Sequence, residues 1–171
     1  MAQPIPSLDF MTAVKLAFAR IKDMEGRSRR SEFWWTMLAT MIPFLIIWVL
    51  NRGAMSIVPS IIFSLLGACI WLCTLPLQVR RLHDTGRGPT LAYIAAGVYI
   101  IQLLLSIAIV SQTDFSDPFG TLSRISTLST FLGLVALIYF VLIIILIVFW
   151  CQDSQPGTNQ YGPSPKYPDF Q

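Results

Sequence analysis

The chain has 171 residues, 54% of them hydrophobic and only 12% charged, with a formal net charge of +3. A soluble domain carries about 25% charged residues, so this composition, arranged in long apolar runs, excludes an ordinary soluble globular domain and a disordered chain. Most residues are committed to crossing a bilayer, which leaves no room for a large water-facing catalytic domain.

The N-terminal stretch holds Asp9, Lys15, Arg20, Lys22, Asp23 and Glu25 without a long apolar core. It does not read as a cleavable signal peptide, and the first apolar span is expected to be a retained anchor. Within residues 7–24, Leu8, Met11, Val14, Phe18 and Ile21 recur at spacings of three and four, with Lys15, Arg20 and Lys22 off that stripe. The spacing predicts an amphipathic helix too polar to span, either lying in the membrane interface or packed on the ends of the bundle.

A hydrocarbon core of roughly 30 Å needs about 20 apolar residues in a helix. Four stretches qualify, at about 33–50, 57–79, 91–110 and 128–150, and none carries a charge. Trp34 and Trp35 open the first span, Trp48 closes it and Trp150 closes the fourth, as interfacial anchors do. Ser31 is expected to cap the first span, with Glu32 at the positive end of its dipole. Trp71 lies well inside the second span and is expected to pack between helices. Pro43 and Pro76 interrupt spans, as tolerated kinks or as hinges. The tail, 152–171, is rich in Pro, Gly and Gln and reads as loop structure. The expected fold is an all-α polytopic membrane protein: four transmembrane helices plus an N-terminal amphipathic interfacial helix, in one membrane domain over 1–171. No internal repeat is evident.

Positive charges set the threading. Lys15, Arg20, Lys22, Arg27, Arg29, Arg30, Arg80, Arg81, Arg87 and Lys166 fall on one side of a four-span chain, and Arg52 and Arg124 on the other. The positive-inside rule then puts both termini and the 80–87 loop in the cytoplasm. Cys69, Cys73 and Cys151 lie in or beside apolar stretches and read as small apolar side chains rather than disulfide partners or metal ligands.

Three polar clusters remain on that side. The first runs Gly26-Arg27-Ser28-Arg29-Arg30-Ser31-Glu32-Phe33-Trp34-Trp35, the second Arg80-Arg81-Leu82-His83-Asp84-Thr85-Gly86, and the third Asn159-Gln160-Tyr161-Gly162, followed by Pro163 and Pro165. In this order they resemble the YhaH-like family of small bacterial inner-membrane proteins, catalogued as a domain of unknown function. The pattern there looks like a GR-x-x-R-x-E-[FY]-W entry, an RRLHD-x-G loop after the second span, and an N-x-[YF]-G-x-x-P tail. The resemblance runs from about residue 8 to 165; RRLHD-x-G is specific and the other two motifs are moderate alone. Family members often continue the second motif with Ser-Gly-Trp, where this chain has Arg87-Gly88-Pro89-Thr90. The resemblance implies a bacterial inner-membrane location and a fold, and supplies no activity.

The candidate site is the cluster of Gly26, Arg27, Arg30, Glu32, Trp34, Arg80, Arg81, His83, Asp84, Gly86, Asn159, Tyr161 and Gly162. A carboxylate at the edge of a low-dielectric region needs a partner, and Arg offers a planar bidentate one. Arg30 or Arg80 to Glu32, and Arg81 to Asp84, are the expected pairs. They would lock helix ends together; the alternatives are arginines that only set topology and touch lipid phosphates, or a ligand site. His83 beside Asp84 suggests catalysis, but no nucleophile motif accompanies the pair, so no catalytic residue is assigned. No metal or cofactor is expected.

The spans lack mid-membrane ionisable groups, which argues against coupled transport. Thr40, Thr74, Tyr99, Gln102 and Tyr139 are expected either to hydrogen-bond between helices or to line a narrow polar path. Small pairs, Ser64/Ala68, Ala92/Ala96 and Ser129/Gly133, offer close helix contacts. The expected function is a scaffold or a partner- or lipid-interaction module with a basic cytoplasmic face. Its expected partners are anionic lipid headgroups, a second copy or another membrane protein, and not nucleic acid. The alternatives are a small oligomeric channel or carrier and, behind it, a membrane enzyme acting on a lipid-type substrate.

Overall fold

The computed structural model describes residues 5–53, 56–114 and 116–167; the outermost parts of the expected domain and tail, 1–4 and 168–171, lie outside the described residues. The described chain is all-helical: α1 (Phe10–Ala19), α2 (Arg30–Gly53), α3 (Ile57–Cys73), α4 (Leu75–Asp84), α5 (Thr90–Ser111) and α6 (Pro118–Cys151). Four helical stretches are long and apolar enough to cross a membrane: Arg30–Leu50, Ile57–Asp84, Thr90–Ser111 and Pro118–Cys151. Ile5 N–H donates to Lys166 O at 3.0 Å, so the chain enters and leaves at the same end of the bundle.

The second span differs from its expected form. It breaks at Thr74 and resumes as α4, with Pro76 in the first turn. Pro76 has no N–H to give the preceding turn, which loosens the ladder there. The Arg80–Asp84 segment, read from sequence as a loop, is therefore the last part of a helix. It ends at Gly86, whose φ of 76° suits glycine. Buried on every side from Pro76 to Asp84, α4 touches α2, α3, α5 and α6.

The fourth span starts earlier than its apolar run. Asp117 accepts from Gly120 N–H at 3.0 Å and Pro118 follows at the first helical position, a strong start signal. At about 1.5 Å per residue, the 34 residues of α6 outreach a hydrocarbon core and carry Ser123, Arg124 and Ser126 past its far side. Ser31 is not a cap: α2 already begins at Arg30, and the Ser31 hydroxyl instead accepts from Leu8 N–H at 3.1 Å.

The N-terminal helix packs on α2 through small residues. Ala13 and Ala17 are its buried positions, while Met11 and Phe18 of the expected stripe are exposed. Asp9 caps it through Thr12 N–H, Phe10 meets Trp35 edge-on at 5.8 Å, and Trp35 Nε1 donates to Leu8 O. The two expectations for this segment merge: a close alanine contact with the bundle on one face, large apolar side chains free to enter lipid on the other.

The core gathers at the arginine-rich end, where Phe33, Leu77, Leu82, Ala92, Ala95, Leu146 and Trp150 pack together. Toward the other end the spans carry many large exposed apolar side chains, as lipid-facing helices do. Trp71 stacks on Tyr99 at 4.4 Å and meets Tyr139 edge-on at 6.3 Å. Three span hydroxyls turn back on their own helices: Thr40 donates to Met37 O, Thr74 to Trp71 O and Ser64 to Ser60 O. Ala68, Ala92 and Ala96 are buried, whereas Ser129 and Gly133 lie on an outward face.

Candidate functional site

Four arginines are buried at one end of the bundle: Arg27, Arg29, Arg80 and Arg81. The carboxylates buried with them are Glu32 and Asp84. Four positive charges against two negative would be costly in a low-dielectric setting. Backbone carbonyls make up the difference, brought in by three separate segments of the chain.

Arg80 holds the first segment. Its Nη2 lies 3.2 Å from Glu32 Oε1, its Nε donates to Ser28 Oγ at 3.0 Å, and its Nη1 donates to the carbonyls of Arg20 and Asp23. Ser28 Oγ donates in turn to Glu32 Oε1 at 3.0 Å, and Ser28 N–H donates to Arg80 O at 3.1 Å. The turn after α1 is thereby tied to α4. Within that turn Arg20 chelates Asp23 through Nε and Nη2, and hydrogen bonds from Arg20 and Glu25 N–H hold the Asp23 carboxyl below its ordinary pKa. Arg29 closes the outer edge by donating to the carbonyls of Ile5 and Pro6.

Asp84 is the centre of the second group. Its Oδ1 accepts from Arg27 Nε at 3.0 Å, and its Oδ2 accepts from Arg81 Nη1 and Ser154 Oγ. One fully buried carboxylate thus neutralises part of two guanidinium groups. Arg81 Nε also donates to Trp150 O at 3.0 Å, and its Nη2 donates to Gln152 O. The Trp150 carbonyl belongs to the last turn of α6, where carbonyls lack helical partners and a cation is favoured by the dipole. Arg27 fans out to the carbonyls of Asp84, Gln155, Gly157 and Gly162.

The third segment is a tight turn. Asn159 and Gly162 pair their backbones, and Asn159 Oδ1 accepts from Tyr161 N–H at 2.9 Å. Asn159 Nδ2 donates to His83 O at 2.9 Å. Tyr161 lies flat on His83, ring centroids 3.7 Å apart and planes 4° from parallel. Gly86 faces the Gln155 amide so closely that a Cβ there would collide with it. His83 Nδ1 sits 3.1 Å from Gly26 O. A carbonyl only accepts, so Nδ1 carries a proton and donates it to this bond. His83 and Asp84 therefore turn to different partners and form no acid–base pair.

The structure joins Gly26, Arg27, Glu32, Arg80, Arg81, His83, Asp84, Gly86, Asn159, Tyr161 and Gly162 into this network. Arg30 stays outside it: the side chain is exposed, and Arg80 occupies the place beside Glu32. Trp34 stays outside too, edge-on to Phe33 and facing outward. Ser28, Arg29, Ser154, Gln155 and the Trp150 and Gln152 carbonyls are members that sequence reasoning missed. Ser28 and Arg29 stood within the first motif; the Trp150 and Gln152 carbonyls have no signature, because a backbone acceptor leaves no trace in residue identity, and Ser154, which donates its hydroxyl to Asp84, and Gln155 fall in the tail outside every motif.

The family described as "Protein of unknown function (DUF805)" matches residues 21–163, from the turn before Arg27 to just past Gly162, and the chain belongs to that family. Two curated relatives, both called "Inner membrane protein YhaH", come from Escherichia coli strain K12 and Escherichia coli O157:H7. Each is 26% identical over 148 residues, covering 82% of this chain and 85% of the relative. No solved structure matches.

Proposed function

We propose that this DUF805 member is a multi-pass bacterial inner-membrane protein with its arginine-rich end in the cytoplasm, serving there as a rigid, non-enzymatic module for lipid or protein contact. The location follows the name of the Escherichia coli relatives, and the orientation follows the bias of positive charge. The observation that carries the functional reading is the inward use of the cluster. Asp84, Arg80 and Arg81 are fully buried and bonded to this chain's own groups, an arrangement that builds a fixed platform rather than an open polar cleft.

The outer surface of the platform is where contact is available. Lys15, Lys22 and Arg30 are exposed, close in sequence to Met11, Leu16 and Phe18, which are exposed apolar residues of α1. Cations beside an apolar face suit an anionic headgroup layer, where each adds about 1 kcal/mol of attraction. Native mass spectrometry of protein released from bilayers containing phosphatidylglycerol tests this. The wild type is expected to retain phosphatidylglycerol over phosphatidylcholine, and the combined Lys15→Gln, Lys22→Gln, Arg30→Gln variant to lose that preference. An unchanged preference would remove the lipid-contact reading.

A further inference from the structure

His83 is the single histidine of the chain, and only one of its ring nitrogens is used. Nδ1 donates to Gly26 O at 3.1 Å, while Nε2 is buried without a hydrogen-bond partner among the described residues. Tyr161 lies parallel over the ring, with centroids 3.7 Å apart. At that overlap the phenol ring covers one whole face of the imidazole, Nε2 included.

A second proton on this ring would have to sit on Nε2. The new N–H would be buried with no acceptor, on a ring that then carries a full charge, and both are costly. The Tyr161 face favours a cation, but an Nε2–H bond lies in the ring plane and points past that face. The surrounding charge does not invite a further cation either. The 26–28 stretch packed on His83 contributes Arg27, and α4 itself contributes Arg80, Arg81 and Asp84. Asp84 and Glu32 are already committed to those three arginines. The tail turn, 157–162, holds no charged side chain, and Asp153 and Lys166 beyond it pair with each other. Of the other helices against α4, α5 carries no charge and α6 carries only Arg124, at its far end. The closed structure therefore fits the neutral ring.

The element that can yield is the tail. Gln155, Pro156, Thr158 and Gln160 face solvent. The turn is held by the stack on His83, by Asn159 Nδ2 on His83 O, and by Arg27 on the Gly157 and Gly162 carbonyls. On the opposite side, the Nδ1–H bond to Gly26 O survives protonation and is strengthened by it.

We infer that His83 is an acid-operated latch: its protonation lifts Tyr161 and releases the 155–162 segment from the arginine-rich end, baring α4 and Arg27 to solvent. Once the tail lifts, water accepts from Nε2–H. Protons bind the released form and not the closed one, so docking is strongest above the ordinary histidine value of about 6.5 and weakens as pH falls through it. Between pH 7.5 and pH 5.5 the docking constant is expected to drop about tenfold. The latch does not involve the lipid contact of α1, and failure of either leaves the other standing.

The test uses the full chain in nanodiscs at those two pH values. Amide protection factors, which already divide out the chemical exchange rate, are measured at Gln155 and Asn159, bonded to Asp84 O and Gly162 O. Ring signals of the one histidine report its protonation by NMR. The expected result is about a tenfold loss of protection at 155 and 159, none at Ser28, and a ring that protonates over the same range. His83→Phe keeps an aromatic ring against Tyr161 and never charges, so its tail protection is expected to be the same at both pH values. Should that variant not fold, His83→Asn, which keeps a donor for Gly26 O, takes its place. Equal protection of the wild-type tail at both pH values would overturn the latch. So would a ring that protonates while the tail stays protected, a loss shared by Ser28, or an equal loss in the uncharged variant.

Discussion

Replacing Asp84 by Asn removes a charge while preserving shape, and the structure predicts a large loss of stability. The wild-type carboxylate accepts from Arg27 Nε, Arg81 Nη1 and Ser154 Oγ in a site with no solvent exposure. An amide keeps one oxygen and points its NH₂ at groups that are themselves donors. Two guanidinium groups then remain buried without their shared counter-charge. Removing one partner of a buried pair costs about 3–5 kcal/mol, and here the retained carbonyl bonds of Arg27 and Arg81 do not restore charge balance. The exposed Arg124–Asp117 contact at 4.0 Å is the internal control: Arg124→Gln is expected to change stability by less than about 0.5 kcal/mol. Reversible unfolding in mild detergent measures both, with limited proteolysis of residues 152–165 as a local readout, since Asp84 also holds Ser154. Adding Arg27→Gln to Asp84→Asn should recover part of the loss, because one stranded cation disappears. A cost for Asp84→Asn no larger than that of Arg124→Gln, with the tail still protected, would refute the reasoning.

Glu32→Gln is expected to cost about 1–3 kcal/mol, less than Asp84→Asn because Glu32 serves one arginine whose other donors stay satisfied; a double-mutant cycle with Arg80→Gln should show that the two positions are coupled. Gly86→Ala combines a φ of 76° with a collision against the Gln155 amide, and is expected to cost about 1–3 kcal/mol and to speed proteolysis of the tail. Ala13→Leu forces bulk into the fully buried α1–α2 contact and should cost about 1–3 kcal/mol, whereas Met11→Leu on the outer face should be near neutral, both read by thermal unfolding. Cysteine labelling in cells should reach positions 52 and 117 from outside and positions 87 and 166 only from inside; labelling of 87 and 117 from one side would contradict the four-span threading.

Much of this architecture was legible because bilayer physics is strict. A helix must present about 20 apolar residues to cross, so the four spans stand out in composition alone. Arg81–Asp84 was legible as a pair because a buried carboxylate needs a cation, whereas for Glu32 the sequence left Arg30 and Arg80 as alternatives and the structure uses Arg80. The α4 helix was not legible: Pro76 and the polar Arg80–Asp84 run look like a span ending in a loop, and only contact with α2, α3, α5 and α6 sustains a buried, charged helix there. Arg27 could not be ranked above Arg30 from sequence, since its partners are mostly carbonyls of a tail about 130 residues away. The contact of α1 with the bundle was not legible, because large residues dominate a hydrophobic stripe, while the buried positions of α1 are Ala13 and Ala17.

Three distant segments of the chain form a single lock around Asp84 and Arg80. Amide hydrogen exchange on the full chain in nanodiscs tests it most directly. Ser28 N–H is bonded to Arg80 O, Gln155 N–H to Asp84 O, and Asn159 N–H to Gly162 O. The lock predicts that these three amides are protected in the wild type and that Asp84→Asn speeds the exchange of all three together. Rapid exchange at 155 and 159 in the wild type, beside slow exchange at 28, would mean that the tail lies free of the bundle and that the lock does not exist.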